Sequence, residues 1–148
     1  MCIIWTWKPF LDLSGPEMHE ILAVRQSVFV LEQHCFYQDA DEFDLLSWHL
    51  IGRDERGVIA AYARLCFPNT KYQEPAIGRV LVVKSARGKG LGKQLIQRCL
   101  RKCEAAYPSQ GIRISAQQYL QPFYEDFGFQ AVGSPYDDAG VAHIAMIL

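Results

Sequence analysis

Apolar and polar positions recur along the chain with two different periods, and the switches between them mark out the elements. Cys2 to Lys8 reads as a strand, rich in Ile, Trp and Thr with partial alternation. Ser14-Gly15-Pro16-Glu17 is a capping-box signature, serine followed three residues later by glutamate, with proline in the first turn. Met18, Ile21, Leu22, Arg25, Val28 and Phe29 then recur at helical spacing, all apolar except Arg25. Glu32 to Asp44 reads as a loop or a broken helix. Trp48 to Gly52 and Val58 to Phe67 read as strands joined by the polar turn Arg53-Asp54-Glu55-Arg56-Gly57, and Pro68 to Pro75 as a polar loop. Ala76 to Val83 is a nearly continuous apolar run, which predicts a strand buried on both faces and central in its sheet.

Ser85 to Gly92 is rich in glycine and basic residues and opens into a helix from about Leu91 to Tyr107, stopped by Pro108. Leu91, Leu95, Ile96, Cys99 and Cys103 form that helix's apolar stripe. Ile112 to Ala116 predicts a strand, and Leu120 to Phe127 a short helix ended by Gly128. Phe129 to Val132 and His143 to Leu148 predict closing strands, with turn chemistry over Ser134 to Gly140. The order β-α-β-β-β-α-β-α-β-β implies an α/β fold with one mixed sheet and helices on its faces.

Composition narrows the function. The 148 residues suit one domain, 1–148, and half of them are apolar. Fifteen Lys and Arg against sixteen Asp and Glu leave a net charge of -1, which argues against disorder and against a nucleic-acid partner. No apolar run approaches the roughly 18 residues of a membrane span. Lys8 and Pro9 interrupt the N-terminal segment, which has no leader pattern. The five scattered cysteines do not resemble a disulfide framework, and Cys99 with Cys103 lacks two further ligands for a metal. A cytoplasmic protein without metal is the expectation. The net charge is a cancellation. Lys84 to Lys102 holds seven basic residues and no acid, while Glu32 to Asp44 holds five acids and no Lys or Arg.

The glycine segment Arg87-Gly88-Lys89-Gly90-Leu91-Gly92-Lys93 lies between a buried strand and a helix, where exposed amides and the helix N-terminus form an anion cradle. It fails the dinucleotide fingerprint, because its glycines fall at 88, 90 and 92 and Lys stands at 93. It fails the P-loop, because position 87 is Arg and Gln94 follows Lys93. It fits Arg-x-x-Gly-x-Gly/Ala through Arg87, Gly90 and Gly92, and so resembles the pyrophosphate motif of the GCN5-related N-acetyltransferases (GNAT). Ile112 to Gln117 followed by Phe123-Tyr124-Glu125-Asp126-Phe127-Gly128-Phe129 resembles that superfamily's second hallmark. Arg25, Val28 to Gln33, Cys35, Tyr37, Asp39, Asp41, Asp44, His49-Leu50, Ile77 to Val80, Ser115 to Gln117, His143-Ile144 and Met146 resemble the ElaA-like subgroup, over most of the chain.

The resemblance implies a single-domain GNAT fold whose splayed strand pair forms a coenzyme A slot. It implies acetyl transfer from acetyl-CoA to a primary amine in a ternary complex. The pyrophosphate falls to Arg87, Gly88, Lys89, Gly90, Leu91, Gly92 and Lys93, and the pantetheine arm to the main chain of Leu81, Val82 and Val83. Gln117 stands where many relatives carry a coenzyme-contacting Asn, and Tyr124 is the expected general acid and coenzyme contact. Many relatives place a Glu on the central strand, and Ala76 to Val83 has no carboxylate. Glu32, Asp39, Asp41, Asp44, His49 and His143 therefore stand as alternatives for a base or for acceptor contacts. The acidic segment suits steering of a small cationic amine, and Arg25 and Arg79 suit pairing with those acids or with a carboxylate of the acceptor. A silent acyl-CoA-sensing module and an enzyme acting on a protein amine are the competing functions. A homodimer is compatible with the sequence.

Overall fold

The computed structural model describes residues 2–148. In chain order its elements are β1 (Ile4–Pro9), α1 (Gly15–Arg25), β2 (Ser47–Arg53), β3 (Ile59–Cys66), β4 (Ala76–Val82), α2 (Leu91–Ala106), β5 (Arg113–Gln117), α3 (Gln121–Glu125), β6 (Gln130–Asp138) and β7 (Val141–Ile147). This is the expected order. The strands form one mixed sheet, β1-β2-β3-β4-β5-β7-β6, with β4 in the middle. Only β4 and β5 pair in parallel, as a helical crossover through α2 requires.

Neighbouring strand residues point to opposite faces, and each face carries its own helices. On one side α2 packs Leu95, Ile96 and Cys99 with Leu50, Ala61, Ala63 and Leu65, and Tyr124 of α3 joins this layer. On the other, Ile21 of α1 with Val28 and Phe29 meets Ile51, Tyr62 and Leu81. The capping box forms: Ser14 Oγ accepts from the Glu17 amide at 3.1 Å, and Glu17 Oε1 accepts from the Ser14 amide at 2.9 Å.

Several expectations are corrected. The α-helix ends at Arg25, and the chain continues as a wider π-helix over Gln26–Glu32, which carries the buried stripe of Ile21 and Arg25 on into Val28 and Phe29. β4 is central but not uniformly buried: Gly78, Arg79 and Val80 are half-buried because β5 diverges from them. Of Ser134 to Gly140, only Ala139 and Gly140 form a turn, the hairpin joining β6 to β7. β6 runs through Asp138, and Gly133, Ser134 and Pro135 form a bulge between the pairs Val132↔Ala145 and Tyr136↔His143. A bulge needs the same residue types as a turn, which is why the pattern read as one. The basic stretch of α2 does not all face the glycine loop. Arg98 lies 4.8 Å from the Trp5 ring centroid and Lys102 3.8 Å from that of Trp48, so both cover aromatic rings of β1 and β2.

Candidate active site

β4 and β5 pair only at Ala76↔Arg113 and Ile77↔Ile114. Beyond that point β4 bulges, because Ala63 of β3 faces both Arg79 and Val80, and Arg79 adopts a left-handed φ of 50°. β5 meanwhile stays with β7 as far as Gln117↔His143. A wedge opens between the two strands. It holds a cavity of about 400 Å³ whose wall includes Val80, Gln117, Tyr124 and His143. A second, of about 390 Å³, is lined by Glu32, Leu81, Val82 and Arg87. The two share Gln33, Val80 and Tyr119 and so adjoin along a passage, with Arg87 on the wall of the second cavity and Tyr124 on that of the first.

At the loop end, Gly88 and Gly90 both have φ of 78°, a conformation that L side chains adopt only with strain. Space is not the reason for glycine there, since a Cβ at either position would meet nothing. Gly90 is the N-cap of α2 and supplies no side-chain cap. The amides of Gly88, Lys89, Gly90, Leu91, Gly92 and Lys93 have no acceptor within the protein among the described residues. Orphaned amides at a helix N-terminus, flanked by Lys89 and Lys93, fit a pyrophosphate. Arg87 pairs with Glu32, and its Nε donates to the Val82 carbonyl at 2.9 Å. The Arg87 bond first holds Glu32 below the usual carboxylate range. Leu81 and Val82 border the passage, whereas the Val83 amide already donates to the Ala60 carbonyl at 2.9 Å.

Tyr124 is buried among Phe123 and Phe129, with ring centroids 5.0 and 6.0 Å away, and reaches the cavity wall. Burial pushes its phenol up to about 12, so it remains a protonated donor. His143 stacks on Tyr136, whose hydroxyl bonds Ser115 Oγ. The Nδ1 of His143 lies 2.8 Å from the Val141 carbonyl, which can only accept. The neutral ring therefore carries its proton on Nδ1 and keeps the Nε2 lone pair free. Gln117 Nε2 donates to Gln33 Oε1 at 3.2 Å, bridging the wedge from β5 to the π-helix end.

The acidic segment folds inward. Arg25 donates from Nε to Asp39 Oδ2 and from Nη1 to Asp44 Oδ1, both at 2.6 Å. Arg64 donates from Nη1 to Asp41 Oδ1 at 2.6 Å and to Asp44 Oδ1 at 2.9 Å. Arg79 Nε lies 2.8 Å from Asp39 Oδ1, an ion contact too misaligned to be a hydrogen bond, and its Nη2 reaches Asp41 Oδ2 at 3.3 Å. Burial opposes the charge on Asp44, but Arg25 and then Arg64 outweigh it and hold the carboxyl below its usual value. His49 is fully buried, between the Tyr62 hydroxyl at 2.7 Å on Nδ1 and the Asp44 carbonyl at 2.9 Å on Nε2. Both its nitrogens are occupied, and burial lowers its pKa.

Of the six residues expected to supply a base or acceptor contacts, the structure thus brings only His143 to the wall of the cavity that Tyr124 also lines. Glu32 borders the passage in an ion pair; Asp39, Asp41 and Asp44 are paired with arginines, and His49 lies in the sheet. Sequence reasoning missed Gln33, Arg64, Lys71, Tyr72, Tyr119 and Tyr136 on the walls. Arg64 carried a signal: a lone charge inside the apolar run Val58 to Phe67 has to find acids. Tyr136 lay hidden in the supposed turn.

The acetyltransferase (GNAT) domain model matches residues 26–148. A UPF0039 protein of Synechocystis is 53% identical over 147 residues, covering 99% of this chain and 96% of that one. The crystal structure of an acyl-CoA N-acyltransferase from Pseudomonas aeruginosa superposes with a TM-score of 0.94 at 38% identity, over 99% of both chains. That of Escherichia coli ElaA does so with a TM-score of 0.92 at 35% identity, again over 99% of both. With its splayed sheet and amide cradle, the chain belongs to the GNAT superfamily and is an acyltransferase. Within that superfamily it is an ElaA-like protein.

Proposed function

We propose that the protein transfers the acetyl group of acetyl-CoA to the primary amine of a small acceptor, by direct attack in a ternary complex. The observation that carries this reading is the pair of adjoining cavities where β5 diverges from β4, one bordered by Arg87 at the entry to the orphaned amides and the other lined by Tyr124 and His143. Gly88 to Lys93 hold the pyrophosphate, Leu81 and Val82 border the pantetheine arm, and Gln117 fixes the wall beside it. The bound thioester supplies the activated acetyl group. The acceptor nitrogen attacks the carbonyl carbon as the C–S bond breaks. His143 Nε2 takes the amine proton, directly or through one water, and Tyr124 gives its proton to the departing sulfur. The products are an amide and free thiol, and the proton held by His143 passes back to Tyr124 through water, which restores both groups.

Steering of a cation by the acidic segment loses its support, because Glu32, Asp39, Asp41 and Asp44 are all ion-paired. A cytoplasmic setting is supported by five unpaired cysteines, four of them buried. The test is incubation with acetyl-CoA and a panel of primary amines, with free thiol monitored. Amine-dependent release is expected. Acetyl-CoA binding without release for any amine would favour the sensing module.

A further inference from the structure

We infer that the acidic segment works through Arg79 as a clamp on β4: Asp39, Asp41 and the Tyr37 ring hold Arg79 in the left-handed conformation that opens the wedge beside β5. This rests on the reading above, in which acetyl-CoA occupies that wedge, and it makes Arg79 a positioning residue for coenzyme binding. Of the five non-glycine residues with positive φ among the described residues, Arg79 alone lies inside a strand; His34, Asn69, Ser109 and Ala139 lie outside the strands. Nothing local favours the conformation at an arginine. Glycine adopts it without steric cost, and Asn and Asp through short side chains that bond the nearby backbone. A long cation has neither device, so its left-handed φ persists only where surrounding contacts over-determine it.

Those contacts converge on the side chain. Its Nε lies 2.8 Å from Asp39 Oδ1, and its Nη2 donates to the Asp39 carbonyl at 3.0 Å and to Asp41 Oδ2 at 3.3 Å. The guanidinium lies 5.4 Å from the Tyr37 ring centroid. Both aspartates are fixed from behind. Arg25 of α1 donates to the Asp39 carboxylate at 2.6 Å and to its carbonyl at 2.9 Å, and Arg64 of β3 donates to Asp41 at 2.6 Å. The clamp is thus anchored on α1 and β3, and it grips β4 where the bulge falls. Ala63 faces both Arg79 and Val80 there, and Val80 borders both cavities. An extended φ at residue 79 would remove the extra residue from the strand. Val80 to Val82 would then run on beside Ser115 to Gln117, continuing the ladder that stops at Ile77↔Ile114, and the space for the pantetheine arm would close.

The test separates side chain from backbone by acetyl-CoA calorimetry on the wild type, Arg79→Ala and Arg79→Gly. Both substitutions remove every clamp contact. They differ only in the Cβ, which opposes positive φ in alanine and is absent from glycine. Arg79→Ala is expected to weaken acetyl-CoA binding by about tenfold, whereas Arg79→Gly is expected to stay within about threefold of the wild type. Urea titrations are expected to show both variants destabilised, so that folding stability and coenzyme affinity part company only in Arg79→Gly. An equal loss of affinity in the two, or no loss in either, overturns the inference and leaves the acetyltransferase reading standing. Should both variants fail to fold, Tyr37→Leu removes the ring beside Arg79 and strands no charge. It is expected to weaken binding by about threefold, and unchanged affinity overturns the inference. Wild-type protein that does not bind acetyl-CoA overturns the acetyltransferase reading and the inference with it.

Discussion

Arg25 breaks an apolar helical stripe, and its guanidinium reaches Asp39 and Asp44 from a fully buried position. Burial works against its charge, and the two carboxylates restore it. Removing one partner of such a group leaves charges stranded without water, which costs about 3–5 kcal/mol. Arg25→Met is therefore expected to lower the unfolding free energy by about that amount in urea titrations. A loss below about 1 kcal/mol would mean that the carboxylates are hydrated rather than held by Arg25. Arg79 carries a second demand, because its left-handed backbone is strained by roughly 1–2 kcal/mol, against which stand its contacts with Asp39, Asp41 and the Tyr37 ring.

At the scale of elements, the glycine loop and the wedge act together. Gly90→Ala would force a left-handed alanine at the N-cap of α2, at a cost of about 1–2 kcal/mol, or would rotate the amides away from the anion. The expected outcome is weaker acetyl-CoA binding by calorimetry, by about tenfold, with the KM for the amine much less affected. Unchanged coenzyme affinity would remove the cradle from the account. The sequence made this loop legible because strand, glycines and helix are contiguous, and so are the capping box and the stripe of α2. The wedge was legible only through resemblance. It arises where β4 bulges at Arg79 and leaves β5, and neither the bulge nor the pairing partner is written in local periodicity. The same limit hid β6 beyond Val132, where Gly133 and Pro135 signal a turn and the partner strand β7 imposes a bulge instead.

Across the whole molecule, the sheet divides function by face and by end. His49 and Tyr62 tie β2 and β3 to the acidic segment, and their burial couples stability to pH. The folded pKa of His49 is depressed, so below about pH 6.5 the unfolded chain binds a proton that the folded one refuses. Stability is expected to be full above that value and to fall as the pH drops through the folded pKa. Urea titrations between about pH 5 and 7.5 should show this slope, and His49→Gln should flatten it. An identical slope in the variant would assign it to other groups. Asp44 acts with the same sign at lower pH: its contribution is present above about pH 4 and is lost as the pH falls through its depressed folded value.

The central claim is that Tyr124, held as a neutral phenol on the wall of the cavity where β5 diverges from β4, protonates the departing sulfur. Tyr124→Phe keeps the aromatic packing with Phe123 and Phe129 and removes only the hydroxyl. The most direct measurement is kcat at saturating acetyl-CoA and amine, with the acetyl-CoA Kd determined on the same protein. A fall in kcat of about a hundredfold or more with an unchanged Kd is the predicted result. An unchanged kcat would contradict it.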